Sequence, residues 1–389
     1  MYQVIPAKPQ APSSIDDRRW QHSALRRRLL TGLWEQDLEE ELLRHLPTDR
    51  REALGPSDMS SCAIEQVTRQ LAMLYHSEPQ VTAEGDISSL VGREGFVSKA
   101  GYFQLMQKVQ QMTLGIREMF VRVDVAPHHE GDPARIPGLS FRSVSPDFVI
   151  ATASEDAPDI PLYYQELRLR LDPQSGEAIW VWDILDVRDQ NNPMFGMYRA
   201  TPSGEIGEEM SEIYMGHPTM RGEDYPYRSE NGVPFLPVVL YHAERTGQLF
   251  NAFDAAQLAY GSLTAAVLFS FYVHCVRDNS WPQKYVAGLS LQGLSQLDGD
   301  LLGRRAAIST DPSSILMFQT EPDMQGQPLI GSFQYADPEK LLDSISKYEY
   351  RVATAAGISS EVLRQSGDPR SGYALSISRE GQREAQRKY

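Results

Sequence analysis

From Ala255 to Val276 the chain carries no charged residue, and Asp254 and Arg277 close the run. As a helix, that length could cross a bilayer. Three features argue against a span. Gln257, Ser262, Thr264, Ser270 and His274 interrupt it. Small residues dilute the strongly apolar ones, and no Lys/Arg group flanks one end to set an orientation. A helix apolar nearly all round is instead buried among other helices. One subunit offers few helices to surround it, so the pattern predicts a ring of identical subunits, each packing this helix against its neighbours. The small residues Ala255, Ala259, Gly261 and Ala265 would permit close approach between subunits, with packing inside one subunit as the rival reading. A membrane-associated protein with a single span at 255–276 is the alternative.

Composition narrows the function classes. The chain has 389 residues, enough for two or three domains, with 41% hydrophobic and 23% charged residues, which excludes wholesale disorder. The formal charge is −15. Such a chain is repelled by phosphate, which argues against gripping nucleic acid over a broad surface but not against letting it slide past. Cys62 and Cys275 cannot make a disulfide framework or a zinc site, so a reduced compartment is expected. The polar, Pro-rich start, Met1 to Pro12, has no apolar core, so no signal peptide is expected.

Enzyme motifs are absent: no phosphate loop, no dinucleotide glycine fingerprint, no zinc-protease helix and no nucleophile elbow. His128 and His129 lie in a Pro/Gly/Asp-rich stretch and read as a solvated loop, since a metal needs three or four converging ligands. Glu208–Glu209 and Asp16–Asp17 are neighbours in sequence, so each pair points apart and reads as solvated charge rather than acid/base machinery. No catalytic residue, metal or cofactor is expected.

Along the chain, Leu29, Leu30, Leu33, Trp34, Leu38, Leu42 and Leu43 fit one apolar helix face behind an arginine cluster, Arg18, Arg19, Arg26, Arg27 and Arg28. The arginines are expected to pair with neighbouring acids. Further helices are predicted over 62–76 and 100–113, the latter ending near Gly115. Met119, Val121, Val123 and Val125 alternate with Phe120, Arg122 and Asp124, as on a half-buried strand. Residues 139–200 read as an antiparallel meander. Its central hairpin turns at Asp172–Gly176 and carries Trp180 and Trp182 on a packed face. Residues 201–233 read as a long loop, and Pro234–Tyr241 as a short apolar strand. Short strands follow at Gln283–Ala287 and Ile315–Gln319. Asp337-Pro338 opens a helix with Asp as N-cap, and Gly357 is placed to end it. Ser359–Arg370 is a polar loop and Ser371 begins a last helix.

This order of elements resembles the tailed-bacteriophage portal proteins. The likeness rests on the order over 235–389: an apolar PFLPVV strand, a long uncharged helix, a small insert, a second helix, a Gly-containing loop, and a helix opening Ser371-Gly372-Tyr373-Ala374-Leu375. Residues before 230 match only in general character. The resemblance implies an α+β portal-type subunit with an α/β wing, long stem helices, a small mixed clip and a tunnel helix, assembling as a ring, usually of twelve. It implies an N-terminal helical arm at 1–54, a wing at 55–248, stem helices at 249–277 and 337–357, and a clip at 278–336. A tunnel loop follows at 358–370 and a tunnel helix at 371–389, with the family's crown absent or truncated.

In that reading Arg364, Gln365, Ser366 and Arg370 face DNA, and Gly367 and Gly372 hinge the loop. Arg304 and Arg305 dock partners at the clip. The implied partners are other copies of the chain, the major capsid protein, the terminase large subunit, a head-tail adaptor and double-stranded DNA in the channel, with no membrane. The implied location is the portal vertex of the virion, with host cytoplasm during assembly. Packaging energy would come from the partner ATPase.

Overall fold

The computed structural model describes residues 6–11, 17–48, 51, 54, 57–59, 62–72, 102–125, 139–172, 175–244, 247–250, 256–280, 282, 284–289, 315–319, 329–332 and 336–355. The chain is mixed α+β. It divides into two compact units, Met1–Trp34 with Ala63–Tyr260 and Ala353–Tyr389, and Glu35–Cys62 with Gly261–Val352.

In the first unit, β1 (Glu118–Val125) is the middle strand of a three-stranded sheet. It pairs antiparallel with β2 (Leu139–Val144) on one side and β9 (Val238–His242) on the other. A second antiparallel sheet has the order β3 (Val149–Ala153), β4 (Pro161–Leu171), β5 (Ala178–Asp186), β6 (Met194–Ala200) and β7 (Ile206–Glu209), with β8 (Met220–Arg221) also beside β6. The predicted meander is present from β3 to β6 with its hairpin, whereas β2 leaves it to pair with β1, and Gly176 at φ +70° closes the hairpin turn. Phe120, Val144 and Leu240 of the first sheet meet Tyr164, Val181, Leu185 and Phe195 of the second. On the second sheet's other face, Trp182, Ile184 and Leu167 pack against Trp20 of α1 (Asp17–Thr31). Trp20 and Trp182 meet edge-on at 6.5 Å, and the Trp182 indole donates to the Gly204 carbonyl at 3.1 Å.

β1 is not half-buried. Helix α4 (Tyr102–Ile116) lies against it, and the second sheet covers the opposite face. Met119, Phe120, Val121 and Arg122 are all buried. Gly115 sits in the last turn of α4, where a Cβ would strike the Leu30 side chain, so the glycine admits α1. Helix α3 (Ala63–Leu71) is shorter than predicted among the described residues. The single N-terminal apolar face is two helices. Gly32 at φ +75° and a bond from the Leu33 N–H to the Arg28 carbonyl (3.0 Å) form a Schellman stop, after which α2 (Glu35–His45) begins.

The predicted loop 201–233 contains β7, a short helix α5 (Ser211–Met215) and β8. Left-handed Gly204 and Gly216 make its turns, and buried Met210 and Tyr225 pin it to the core. The predicted strand at Pro234 pairs with β1 only from Val238, because Pro234 and Pro237 have no N–H to give the ladder.

α6 (Ala256–Ser280), which belongs to the second unit from Gly261 onward, runs past Arg277 to Ser280. α7 (Pro338–Ala355) starts as predicted, with the Asp337 carboxylate accepting from the Glu339 N–H at 3.0 Å. β10 (Lys284–Leu289) lies between parallel β11 (Ile315–Gln319) and antiparallel β12 (Leu329–Ser332). Gly331 faces the Tyr285 ring, with no room for a Cβ.

Trp182→Ala should cost about 3–5 kcal/mol, because it empties the outer face of the larger sheet and loses the Trp20 contact. Urea unfolding of the two proteins checks this, and a loss below 1 kcal/mol would mean that α1 does not hold that face.

Candidate functional site

Two constellations stand out among the described residues: the α6–α7 helix pair, and a charge interlock between the two sheets.

In the helix pair, Gly261 of α6 lies where a Cβ would come within 2.7 Å of the Val352 side chain on α7. At the other end of the pair, the Asn279 amide donates to the Ala336 carbonyl (2.9 Å) and the Cys275 thiol reaches the same oxygen (3.2 Å). Low numbers on α6 thus meet high numbers on α7, so the two helices run antiparallel. Ala259 and Ala265 are buried within the chain. The Ser270 hydroxyl donates to the Ala266 carbonyl and accepts from the Asp58 N–H, at 2.9 and 3.0 Å. Only 44% of the most apolar stretch of α6 is buried. Tyr260 and Val273 are exposed, and Phe269, Phe271, Tyr272 and Val276 are half-buried.

The structure thus places Gly261 against its own chain's α7, the close approach that was expected between subunits. Ala255, Arg304, Arg305, Arg364, Gln365, Ser366, Gly367, Arg370 and Gly372 lie outside the described residues, as do His128, His129 and Gly357.

The interlock had no counterpart in the sequence reading. Arg122 and Arg142 sit directly opposite each other on β1 and β2. Glu166 and Asp183 sit opposite each other on β4 and β5. Each sheet alone would carry a like-charge pair, which is destabilising. Stacked, the two pairs neutralise. The Arg122 guanidinium donates to Asp183 at 3.1 Å, Glu166 at 3.3 Å and Asp124 at 2.7 Å. Arg142 binds both oxygens of Glu166, and Asp124 at 3.2 Å. Arg168 and Arg170 each reach Asp183 at 3.1 Å. The Tyr164 hydroxyl donates to Glu166 at 3.0 Å.

Side-chain exposure is 2% at Arg122 and 0% at Asp183. Burial opposes charge on both. It is outweighed at Asp183 by Arg122, Arg170 and Arg168, which hold the carboxyl below its usual range. At Arg122, Asp183 and Asp124 outweigh burial and raise the guanidinium further. The turned-in arginines leave Leu169 and Leu171, on the alternate positions of β4, exposed. The available signal was Arg and Asp alternating in strands; it reads as a wet face unless a second sheet is known to cover it.

Three arginines of the N-terminal cluster bond within the chain, Arg19 and Arg26 to carbonyls and Arg27 to an acid. Arg19 donates to the Pro146 and Val149 carbonyls at 3.3 and 3.1 Å, and Arg26 to that of Ile116 at 3.1 Å. Arg27 pairs with fully buried Asp147 at 3.1 Å, joined by Lys8 at 2.9 Å and the Ser145 hydroxyl at 2.5 Å. Burial pushes the Lys8 ammonium down to about 8 against the pull of Asp147. At Asp147 burial acts upward, but Lys8 and Arg27 hold the carboxyl below its usual range. Lys8 also sits over the Phe148 and Trp20 rings, 3.9 and 4.7 Å from their centroids. Glu209 accepts from the Thr219 N–H at 2.8 Å, which fixes it in a turn.

Among the described residues, no group of three or more His, Cys, Asp or Glu could hold a metal. Each carboxylate of the interlock accepts from at least one guanidinium. Compared with known proteins, the chain matches no family model and no curated protein.

Arg122→Met should cost about 3–5 kcal/mol, since it removes the sealed cation from between buried Glu166 and Asp183. Arg188→Gln, whose ion pair with Asp186 is exposed, should cost under about 1 kcal/mol. Denaturant titration compares them; equal losses would remove the interlock's special standing. Acid should expose it too. Asp147 and Asp183 are both held below the ordinary value of 3.8. Their contribution is therefore complete above that value and is lost as pH falls through their folded values. Thermal midpoints are expected to drop steeply below pH ~4 and less steeply in Asp183→Asn, whatever its starting stability.

Proposed function

We propose that the chain is a subunit of a ring-shaped channel of the portal type, through which double-stranded DNA enters and leaves a capsid. The observation that carries the reading is α6: uncharged from Ala256 to Val276, yet with only 44% of its most apolar stretch buried by its own chain. Exposed apolar area costs about 25 cal/mol per Å², and Tyr260, Val273 and the half-buried aromatics between them call for a cover. Copies standing side by side in a closed ring give every copy the same cover. The antiparallel α6–α7 pair fits a stem strut, and the β10–β12 sheet between them in sequence fits a clip.

A formal charge of −15 suits a conduit wall that repels phosphate and lets DNA slide. In this reading the chain is not an enzyme. The terminase large subunit supplies the energy, and the major capsid protein and head-tail adaptor are the other partners. The ring would number about twelve copies, with no membrane involved. It would stand at the portal vertex of the virion after assembly in host cytoplasm. The clip arginines Arg304 and Arg305 and the loop residues 364–372 keep the roles that the resemblance gave them.

The second reading is a single membrane span, which the same helix would satisfy by length and composition. Negative-stain imaging with solution mass on the same sample separates the two. Rings of about twelve copies, with a hole that admits a B-form duplex, are expected. Val273→Asp should release subunits while far-UV circular dichroism stays unchanged. A monodisperse monomer at high concentration would overturn the ring. Recovery only in detergent would favour the span.

A further inference from the structure

Residues 6–11 form a strap with no regular structure, placed by contacts with distant parts of the first unit. The Trp180 indole donates to the Pro6 carbonyl at 3.1 Å, and the Gln10 N–H donates to the Pro202 carbonyl at 3.1 Å. Between these two bonds the Lys8 side chain turns inward. Its ammonium donates to the Asp147 carboxylate at 2.9 Å and also to the Asp147 carbonyl. The Phe148 and Trp20 rings wall it in, their centroids 3.9 and 4.7 Å away, and Phe148 stacks in turn on Trp180. The Asp147 side chain is fully buried and that of Lys8 is 23% exposed.

The seat brings two cations to one carboxylate. Arg27 of α1 binds the same Asp147 carboxylate at 3.1 Å, and the charge of Arg28 also acts on Lys8. Arg19, on the same helix, donates to the Pro146 and Val149 carbonyls beside the seat. Ser145 adds a hydroxyl, donated to Asp147 at 2.5 Å, and no charge. A guanidinium keeps its proton, whereas an ammonium can release it. Loss of the Lys8 proton leaves Arg27 and Asp147 as a matched pair and relieves the strap of a buried charge. The two rings oppose that loss by cation–π attraction. Burial first, then Arg27 and Arg28, push the ammonium down from lysine's ordinary 10.5 to about 8 against the pull of Asp147.

We propose that the strap is a proton-sensitive latch, seated loosely while Lys8 is an ammonium and tightened when Lys8 gives up its proton. The neutral amine still donates to Asp147, and its stem stays on the Phe148 and Trp20 rings. Out of its seat, Lys8 titrates as an ordinary lysine. Between about 8 and 10.5 the unseated strap therefore holds a proton that the seated strap has lost. Seating is level below that window and strengthens as pH rises through it. Each opening takes the Pro6 carbonyl from the Trp180 indole and uncovers the Phe148 ring, while Asp147 keeps Arg27 and Ser145. The latch uses only residues of the first unit, so it stands independently of the portal reading.

The test is amide hydrogen exchange of the full chain, read at the Gln10 N–H across the window. Each rate is divided by that of a free peptide of residues 6–11 at the same pH, which removes the acceleration by base. Protection in the natural chain should be level from about pH 7 to about pH 8 and rise about tenfold or more by about pH 10. Lys8→Met, neutral throughout, should be level and at least as protected at neutral pH as the natural chain. Lys8→Arg, charged throughout, should be level and the least protected at alkaline pH. Both variants leave Asp147 its Arg27 and Ser145 partners, so the sheets can form normally. Level protection in the natural chain, or an equal rise in Lys8→Met, would overturn the latch. So would a Lys8→Met strap less protected than that of Lys8→Arg.

Discussion

The stacked like-charge pairs are the constraint on which the first unit depends. Arg122 and Arg142 repel each other along one sheet, and Glu166 and Asp183 repel along the other. Each sheet offsets part of its own repulsion, through Asp124 in one and Arg168 and Arg170 in the other, and stacking adds the direct pairing of Arg122 and Arg142 with Glu166 and Asp183. A slip of one residue in either register would turn a charge of each pair into the opposite face and leave the remaining ones buried and unpaired. The interlock therefore does more than hold the sheets together. It selects one alignment out of those that Phe120, Tyr164, Leu185 and their neighbours would accept on apolar grounds alone. Burial of a charge group usually gains little stability, but its demand for partners is strict, and strictness is what two large antiparallel sheets require.

A second node repeats the principle on a smaller scale. Asp147 is fully buried and accepts from Lys8, Arg27 and Ser145. Those residues come from the N-terminal strap, α1 and the turn before Asp147 itself, so one carboxylate gathers three parts of the chain. The strap has no regular structure. Its place is fixed by Lys8 on the Phe148 and Trp20 rings, by the Trp180 indole donating to the Pro6 carbonyl at 3.1 Å, and by the Gln10 N–H reaching the Pro202 carbonyl at 3.1 Å. An acidic chain has spent its N-terminal arginines internally, on a carboxylate and on carbonyls at turns and helix ends.

Much of the architecture was legible in the residues. The alternation of Leu167, Leu169 and Leu171 with Arg168 and Arg170, followed by a Pro/Gly turn, marked the β4–β5 hairpin. Asp337-Pro338 marked the start of α7 to the residue. The loop at 201–233 was misread because Gly, Pro and Glu conceal short elements. β7 and α5 are held by Met210 and Tyr225 reaching a distant core, which no local pattern displays. β1 was read as half-buried for a related reason: period-two alternation says that one set of side chains shares a face, not whether that face meets water or another sheet.

The sequence by itself determined that this chain is α+β, that a long uncharged helix follows a β-rich region, and that no familiar catalytic motif is present. These are local properties, set by periodicity, turn residues and composition. Only the tertiary structure decided that Arg122 lies inside, that Gly261 serves a contact with Val352, and that Arg168 and Arg170 turn in to Asp183. Each of these depends on which distant strand or helix arrives opposite. That choice is made by the summed burial of both faces and the pairing of buried charge, and no single segment contains it.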